Sequence, residues 1–141
     1  MCISNEKPFP LPKVSAFKVM LKVEGGYRPV FYGSNILDDR VFQKNVVYEA
    51  KEKHYSFMTI KGFHAFANLE DAEELINNIS EWNVTFEAYD RNNLALLVVE
   101  LTNKITFGID SGIEKDKEFM QLSGESMRIL KELRGKSNGN D

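Results

Sequence analysis

The sequence predicts an α+β domain: a mostly antiparallel sheet of about seven short strands, one main helix over 69–79 and a short C-terminal helix. Three observations carry this expectation. Short runs of alternating apolar and polar residues, each ended by Gly, Asn or Asp, recur along the chain. A helix-spaced apolar stripe follows Asn68, a good N-cap residue. A nearly continuous apolar run, Leu94 to Leu101, has the composition of a strand buried on both faces.

The 141 residues suit one domain with a sizeable core, and 43% hydrophobic with 28% charged residues is ordinary globular material. The expected division is an extended arm over 1–13, a single domain over 14–134 and a disordered tail over 135–141. No apolar run approaches the roughly 20 residues of a membrane span. The N-terminus lacks the basic-then-apolar pattern of a signal peptide, so a cytoplasmic protein is expected. A single cysteine excludes an internal disulfide framework and a cysteine-rich zinc site. The net charge of −3 hides a segregation, with 1–68 net basic and 69–122 net acidic. The acidic middle argues against a domain-wide nucleic-acid surface and reads as a solvated face.

Taken in order, Pro8, Pro10 and Pro12 alternate and favour an extended path for the arm. Cys2 is positioned to become an N-terminal thiol nucleophile after Met removal, but an arm lacks a preorganised shell, and a spectator is the plainer reading. Val14 to Glu24 alternates Phe17, Val19, Leu21 and Val23 against Lys18, Met20 and Lys22. Gly25-Gly26 marks a hairpin into Tyr27–Tyr32, where Pro29 calls for an edge strand or a bulge. Residues 36–54 read as charged loop with a brief strand at Val46-Val47-Tyr48. His54 to Ile60 alternates again and is expected to pair with the strand Gly62–Ala67. Leu69, Ala72, Leu75, Ile76 and Ile79 then form the helix stripe, with Glu70, Asp71, Glu73 and Glu74 suiting the dipole's positive end. Trp82–Tyr89 reads as a strand, Leu94–Leu101 as the central strand and Ile105–Ile109 as another. Asp110–Glu118 reads as a charged surface loop, and Met127, Leu130 and Leu133 give the short helix that Gly135 would end.

Few residues suggest chemistry. His64 and Phe66 share one strand face after Gly62, close to a helix N-terminus, an arrangement able to hold a planar or anionic ligand. A half-buried, hydrogen-bonded histidine is the commoner outcome. His54, His64 and Cys2 form no ligand pair at a recognised spacing, so no metal and no cofactor are expected. No nucleophile elbow, phosphate-binding loop or dinucleotide fingerprint occurs. Lys18, Lys22, Tyr27, Arg28, Phe31 and Tyr32 interleave basic and aromatic groups as single-strand binders do, though an ordinary exposed hairpin is the plainer description.

Met1-Cys2-Ile3-Ser4, Phe17-Lys18-Val19, Gly62-Phe63-His64-Ala65-Phe66, and Phe107-Gly108 followed by Ser126 are similar to short proteins of gut-type bacteria and their phages. Those proteins carry no assigned activity, and Thr102-Asn103-Lys104-Ile105 stands where many of them read Pro-Lys-Gly-Ser. The resemblance implies a bacterial or phage origin. A second likeness is to ADP-ribosyltransferase-like domains, through Gly62-Phe63, Ala72 on the helix and Glu100 late in a strand. Ala65-Phe66 stands where that family has its Ser-Thr or Tyr-x-Thr element. That likeness implies a ligand-binding enzyme with His64 and Glu100 as catalytic groups and Gly62, His64 and Phe66 against the ligand.

The leading expectation is a non-enzymatic interaction protein, a phage accessory product acting in the bacterial cytoplasm or the virion. Its partner would be a viral or host protein, with a second copy of the chain as the other candidate, and neither membrane nor nucleic acid is expected. The partner-binding residues are Pro8, Pro10 and Pro12 of the arm with Tyr27, Arg28 and Pro29 of the edge strand.

Overall fold

The computed structural model describes residues 4–29, 40–54, 59–78, 93–114 and 117–135. In chain order the described strands are β1 (Ser4–Pro8), β2 (Lys13–Val23), β3 (Gly26–Pro29), β4 (Val47–Glu49), β5 (Glu52–His54) and β6 (Thr59–Lys61). There follow β7 (Phe63–Phe66), the helix α1 (Leu69–Asn78), β8 (Leu94–Thr102), β9 (Thr106–Glu114), β10 (Lys117–Gly124) and β11 (Ser126–Gly135). Nine strands form one sheet, ordered β1-β9-β10-β7-β2-β8-β11-β4, with β3 also on β2, while β5 and β6 pair separately. The α+β expectation is therefore corrected: the described chain is nearly all antiparallel sheet with one helix.

The main reason lies in the last segment. Met127, Leu130 and Leu133 fit a helical stripe, yet β11 pairs with β8 from Ser126↔Thr102 to Gly135↔Ala95. Its register shifts between Ile129 and Lys131 and again between Glu132 and Arg134. Each shift inserts a residue that breaks the period of two, so the strand does not look like one in sequence. The segment read as a charged loop over 110–118 lies largely in β9 and β10, which pair with each other. An antiparallel ribbon needs only one covered face, so polarity does not separate it from a loop. The expected strand over 54–60 is also revised. β5 pairs with β6, whereas β7 pairs with β10 and, at Phe66↔Phe17, with β2. Residues 55–58, the expected strand at 82–89 and the tail at 136–141 lie outside the described residues.

β8 is central, as its apolar run requires, between β2 and β11. Ala95, Leu97, Val99 and Leu101 face one cluster with Ala16, Met20, Phe63, Ala65, Leu122 and Ile129. Leu94 and Leu96 face the other way, against Val19, Leu21 and Phe66 and under Ala72, Leu75 and Ile76 of α1. The helix thus covers one side of β2 and β8. The other side is covered because β7 and β10 bend back over it. Asn68 precedes α1, and its carbonyl accepts the Ala72 N–H at 3.4 Å, the first bond an N-cap residue provides.

A short segment fastens the far edge. Phe42 and Tyr27 exchange backbone hydrogen bonds of 2.9 and 2.7 Å, while Lys44 bridges Ile129 and the Asn45 N–H donates to the Ile129 carbonyl at 2.8 Å. The strip β3–β2–β8–β11 is therefore joined at its two outer strands through residues 42–45 and curls toward a barrel. Gly26 is what allows Phe42 so close, because a Cβ there would lie 2.3 Å from the Phe42 carbonyl oxygen.

Candidate functional site

His64 lies half-buried on β7, and Phe66 beside it is buried under the helix. The Lys18 ammonium donates to the His64 backbone carbonyl. This contact falls where β2 exchanges neighbours, pairing with β7 at Phe17 and with β3 from Met20 onward. The lysine satisfies a carbonyl that the diverging β7 leaves without a ladder partner.

Glu100 is on β8, where its carboxylate meets the Arg128 guanidinium at 3.2 Å. Phe17 stands opposite both Phe66 of β7 and Val98 of β8. From that row His64 lies two residues along in one direction and Glu100 two in the other. Strand β2 lies between the strands that carry them. Ala72 does sit on the inner face of α1, but as fully buried core. Gly62 serves packing as well: a Cβ there would lie 2.4 Å from Ser123 Oγ on β10. Gly62→Ala is accordingly expected to lower stability by about 1–3 kcal/mol through overpacking. A denaturant melt reads this directly, and an unchanged midpoint would mean that the two strands separate freely there.

Tyr27 is not the exposed partner residue expected of it. It is 4% exposed and part of the core. Its hydroxyl donates to Glu132 Oε1 at 2.6 Å, and Lys22 Nζ lies 3.3 Å from the same carboxylate oxygen. Burial, then the hydrogen bond to Glu132 and its charge, push the Tyr27 hydroxyl well above the usual tyrosine range. Burial alone would raise Glu132 too. Hydrogen bonds from Tyr27 and Lys22, with the charges of Lys22 and Lys44, outweigh it and hold the carboxyl below its ordinary range. This trio ties β3 and β2 to β11; a phenol so hard to ionise is a donor, not a nucleophile. Arg28 and Pro29 are half-buried on β3, opposite Leu21 and Met20. Of the basic and aromatic residues singled out in the first hairpin, Lys18 and Lys22 make the contacts given above and Tyr27 is buried. Phe31, Tyr32 and Cys2 lie outside the described residues.

Pro8, Pro10 and Pro12 are exposed. Ser4–Pro8 is β1, paired with β9, and the chain bends at Pro10, Leu11 and Pro12 before it enters β2. Among the described residues no three His, Cys, Asp or Glu side chains converge as a metal site would need, and no helix is long and apolar enough to cross a membrane. The chain matches no protein-family model, no curated protein and no solved structure. Its geometry alone must speak for its function.

What the geometry adds is the end of the sheet at β4. Val47 is 58% exposed, Val46 40% and Val41 41%. Tyr48 turns inward, its ring 4.5 Å from that of Phe42 and its hydroxyl accepting the Gln43 N–H at 2.9 Å. Glu49 receives the Ser126 hydroxyl at 2.8 Å. The sequence reading of a brief strand at Val46-Val47-Tyr48 falls here, with Val46 just before β4.

Proposed function

We propose that this protein is a non-enzymatic binding module that engages another protein through a strand edge of its sheet. The observation that supports this reading is the open sheet, which ends in β4 and β1 among the described residues, with large apolar side chains exposed at and near both ends. Val47 stands at the β4 end, and Ile109 and Met120, a cross-strand pair, stand near β1. Unpaired edges offer backbone donors and acceptors to a neighbouring chain, and apolar residues beside them add area. In this proposal the protein is a phage accessory product, a virion decoration component or an inhibitor of a host protein, working in the bacterial cytoplasm or on the particle. A tagged pull-down from host lysate, with and without phage particles, tests it. A stoichiometric protein partner is expected; recovery of none under either condition counts against the proposal.

A further inference from the structure

Resting on the reading of this protein as a binding module, we propose that the proline turn after β1 is a contact surface of its own. It sets Leu11 into an aromatic-lined pocket of the partner protein. Leu11 is 59% exposed, the most exposed large apolar side chain among the described residues. A lone exposed leucine is ordinary on a protein surface. This one stands at a bend between Pro10 and Pro12, with Pro8 two residues before Pro10, and all three prolines are exposed.

Both ends of the turn are held. On the β1 side Phe9 is half-buried, its N–H donating to the Ile105 carbonyl at 2.9 Å. Its ring meets that of Phe107 edge-on, with centroids 6.2 Å apart. On the β2 side Lys13 stands opposite Thr102 and Val14 opposite Leu101. Only Pro10, Leu11 and Pro12 lie between these anchors, and the proline rings fix φ in two of the three. The leucine is therefore presented before a partner arrives, and little freedom is lost when it is bound.

The backbone of the turn decides the chemistry of the partner. Three of the five residues from Pro8 to Pro12 have no N–H, and the Phe9 N–H is spent on Ile105. A segment so poor in donors is unsuited to pairing with a strand. What it offers is apolar pyrrolidine faces, the Leu11 side chain and carbonyl acceptors. Tyrosine and tryptophan answer all of these, with a ring for the apolar faces and an O–H or N–H for the carbonyls. Grooves that take proline-rich segments are lined by aromatic side chains for the same reason.

The test places the photo-crosslinker benzoylphenylalanine in the full chain at Leu11 and, in separate proteins, at Val47 and at Ile109, which are also exposed. Each protein is irradiated in host lysate with and without phage particles, and the adducts are mapped by mass spectrometry. The Leu11 position is expected to give one discrete protein adduct, attached at a peptide that contains Tyr or Trp. Leu11→Asp should weaken the affinity of that protein for the full chain by about thirtyfold, the scale of an apolar anchor at the centre of an interface. Pro10→Ala with Pro12→Ala keeps the leucine but frees the turn, and should weaken the affinity by about tenfold. Far-ultraviolet circular dichroism and the melting midpoint should stay unchanged, because all of the replaced side chains are exposed. The inference is overturned by no adduct at Leu11, by an adduct only to a second copy of this chain, or by an attachment peptide without Tyr or Trp. Affinity indifferent to Leu11→Asp overturns it too. Adducts from Val47 or Ile109 with none from Leu11 would refute the turn and leave the strand-edge proposal standing, while adducts from none of the three count against both.

Discussion

Phe42→Ala is expected to destabilise the protein by about 3–5 kcal/mol, the usual cost of emptying a buried phenylalanine site. The residue is fully buried and lies between Tyr48, at 4.5 Å between ring centroids, and Phe63, at 5.7 Å and edge-on. The Arg40 guanidinium lies 5.0 Å from its ring centroid. Its backbone also joins β3 to the segment that reaches β11, so a cavity there loosens the closure as well as the core. Domains of this kind hold about 5–15 kcal/mol in total, so the loss is a large share. Phe42→Leu, which keeps most of the volume, should cost less than half as much. Urea melts of the two variants give the comparison, and amide exchange at Tyr27 and Phe42 shows whether closure fails first. A Phe42→Ala protein that melts with the wild type would show that residues 42–45 do not fasten the strip.

The parts of this fold that a sequence reader finds are those governed by neighbours a few residues away. Leu94 to Leu101 reads as a doubly covered strand because a strand with one wet face does not carry six apolar residues in a row. The stripe at Leu69, Ala72, Leu75 and Ile76 reads as a helix because its cap and its first-turn carboxylates agree with its period. β11 fails that test. The first of its two register shifts moves Glu132 to the side of Leu97, opposite which it stands, and the core side there is where Tyr27 waits. Tyr27 itself looks like a surface residue in a Gly-Gly hairpin. Its burial depends on Glu132, 105 residues away, and no local pattern announces that distance. The candidate site divides the same way. His64 and Glu100 suit catalysis as residue types, but only the ladder order reveals that β2 lies between their strands. The brief strand of β4 was visible in Val46-Val47-Tyr48, while the direction of its amides is a property of the pairing with β11.

Tyr27→Phe is expected to cost about 1.5–3 kcal/mol at neutral pH, the range for a hydrogen bond to a charged group. It should also change how stability depends on pH. The wild-type Glu132 carboxyl sits below its ordinary value, so its contribution is complete above the usual carboxylate range and is lost as pH falls through the folded-state value. Tyr27 has the opposite sense. Its hydroxyl is raised, so its contribution is complete below the ordinary tyrosine value of about 10 and is lost as pH climbs beyond it. Removing the hydroxyl leaves Glu132 as buried as before but without its closest donor. Its pKa must then rise, and the acid-side loss of stability must begin at a higher pH than in the wild type. The alkaline contribution of Tyr27 disappears in the same variant. Glu132→Gln separates charge from hydrogen bonding, since the amide oxygen still accepts from Tyr27 while nothing at that position titrates in acid. Carboxyl-carbon NMR of Glu132 across pH, beside denaturant melts at acid, neutral and alkaline pH, reads all three proteins. If Glu132 titrates at the same pH with and without the Tyr27 hydroxyl, then Lys22 and Lys44 alone hold it ionised, and the closure of β3 onto β11 rests on packing around Phe42.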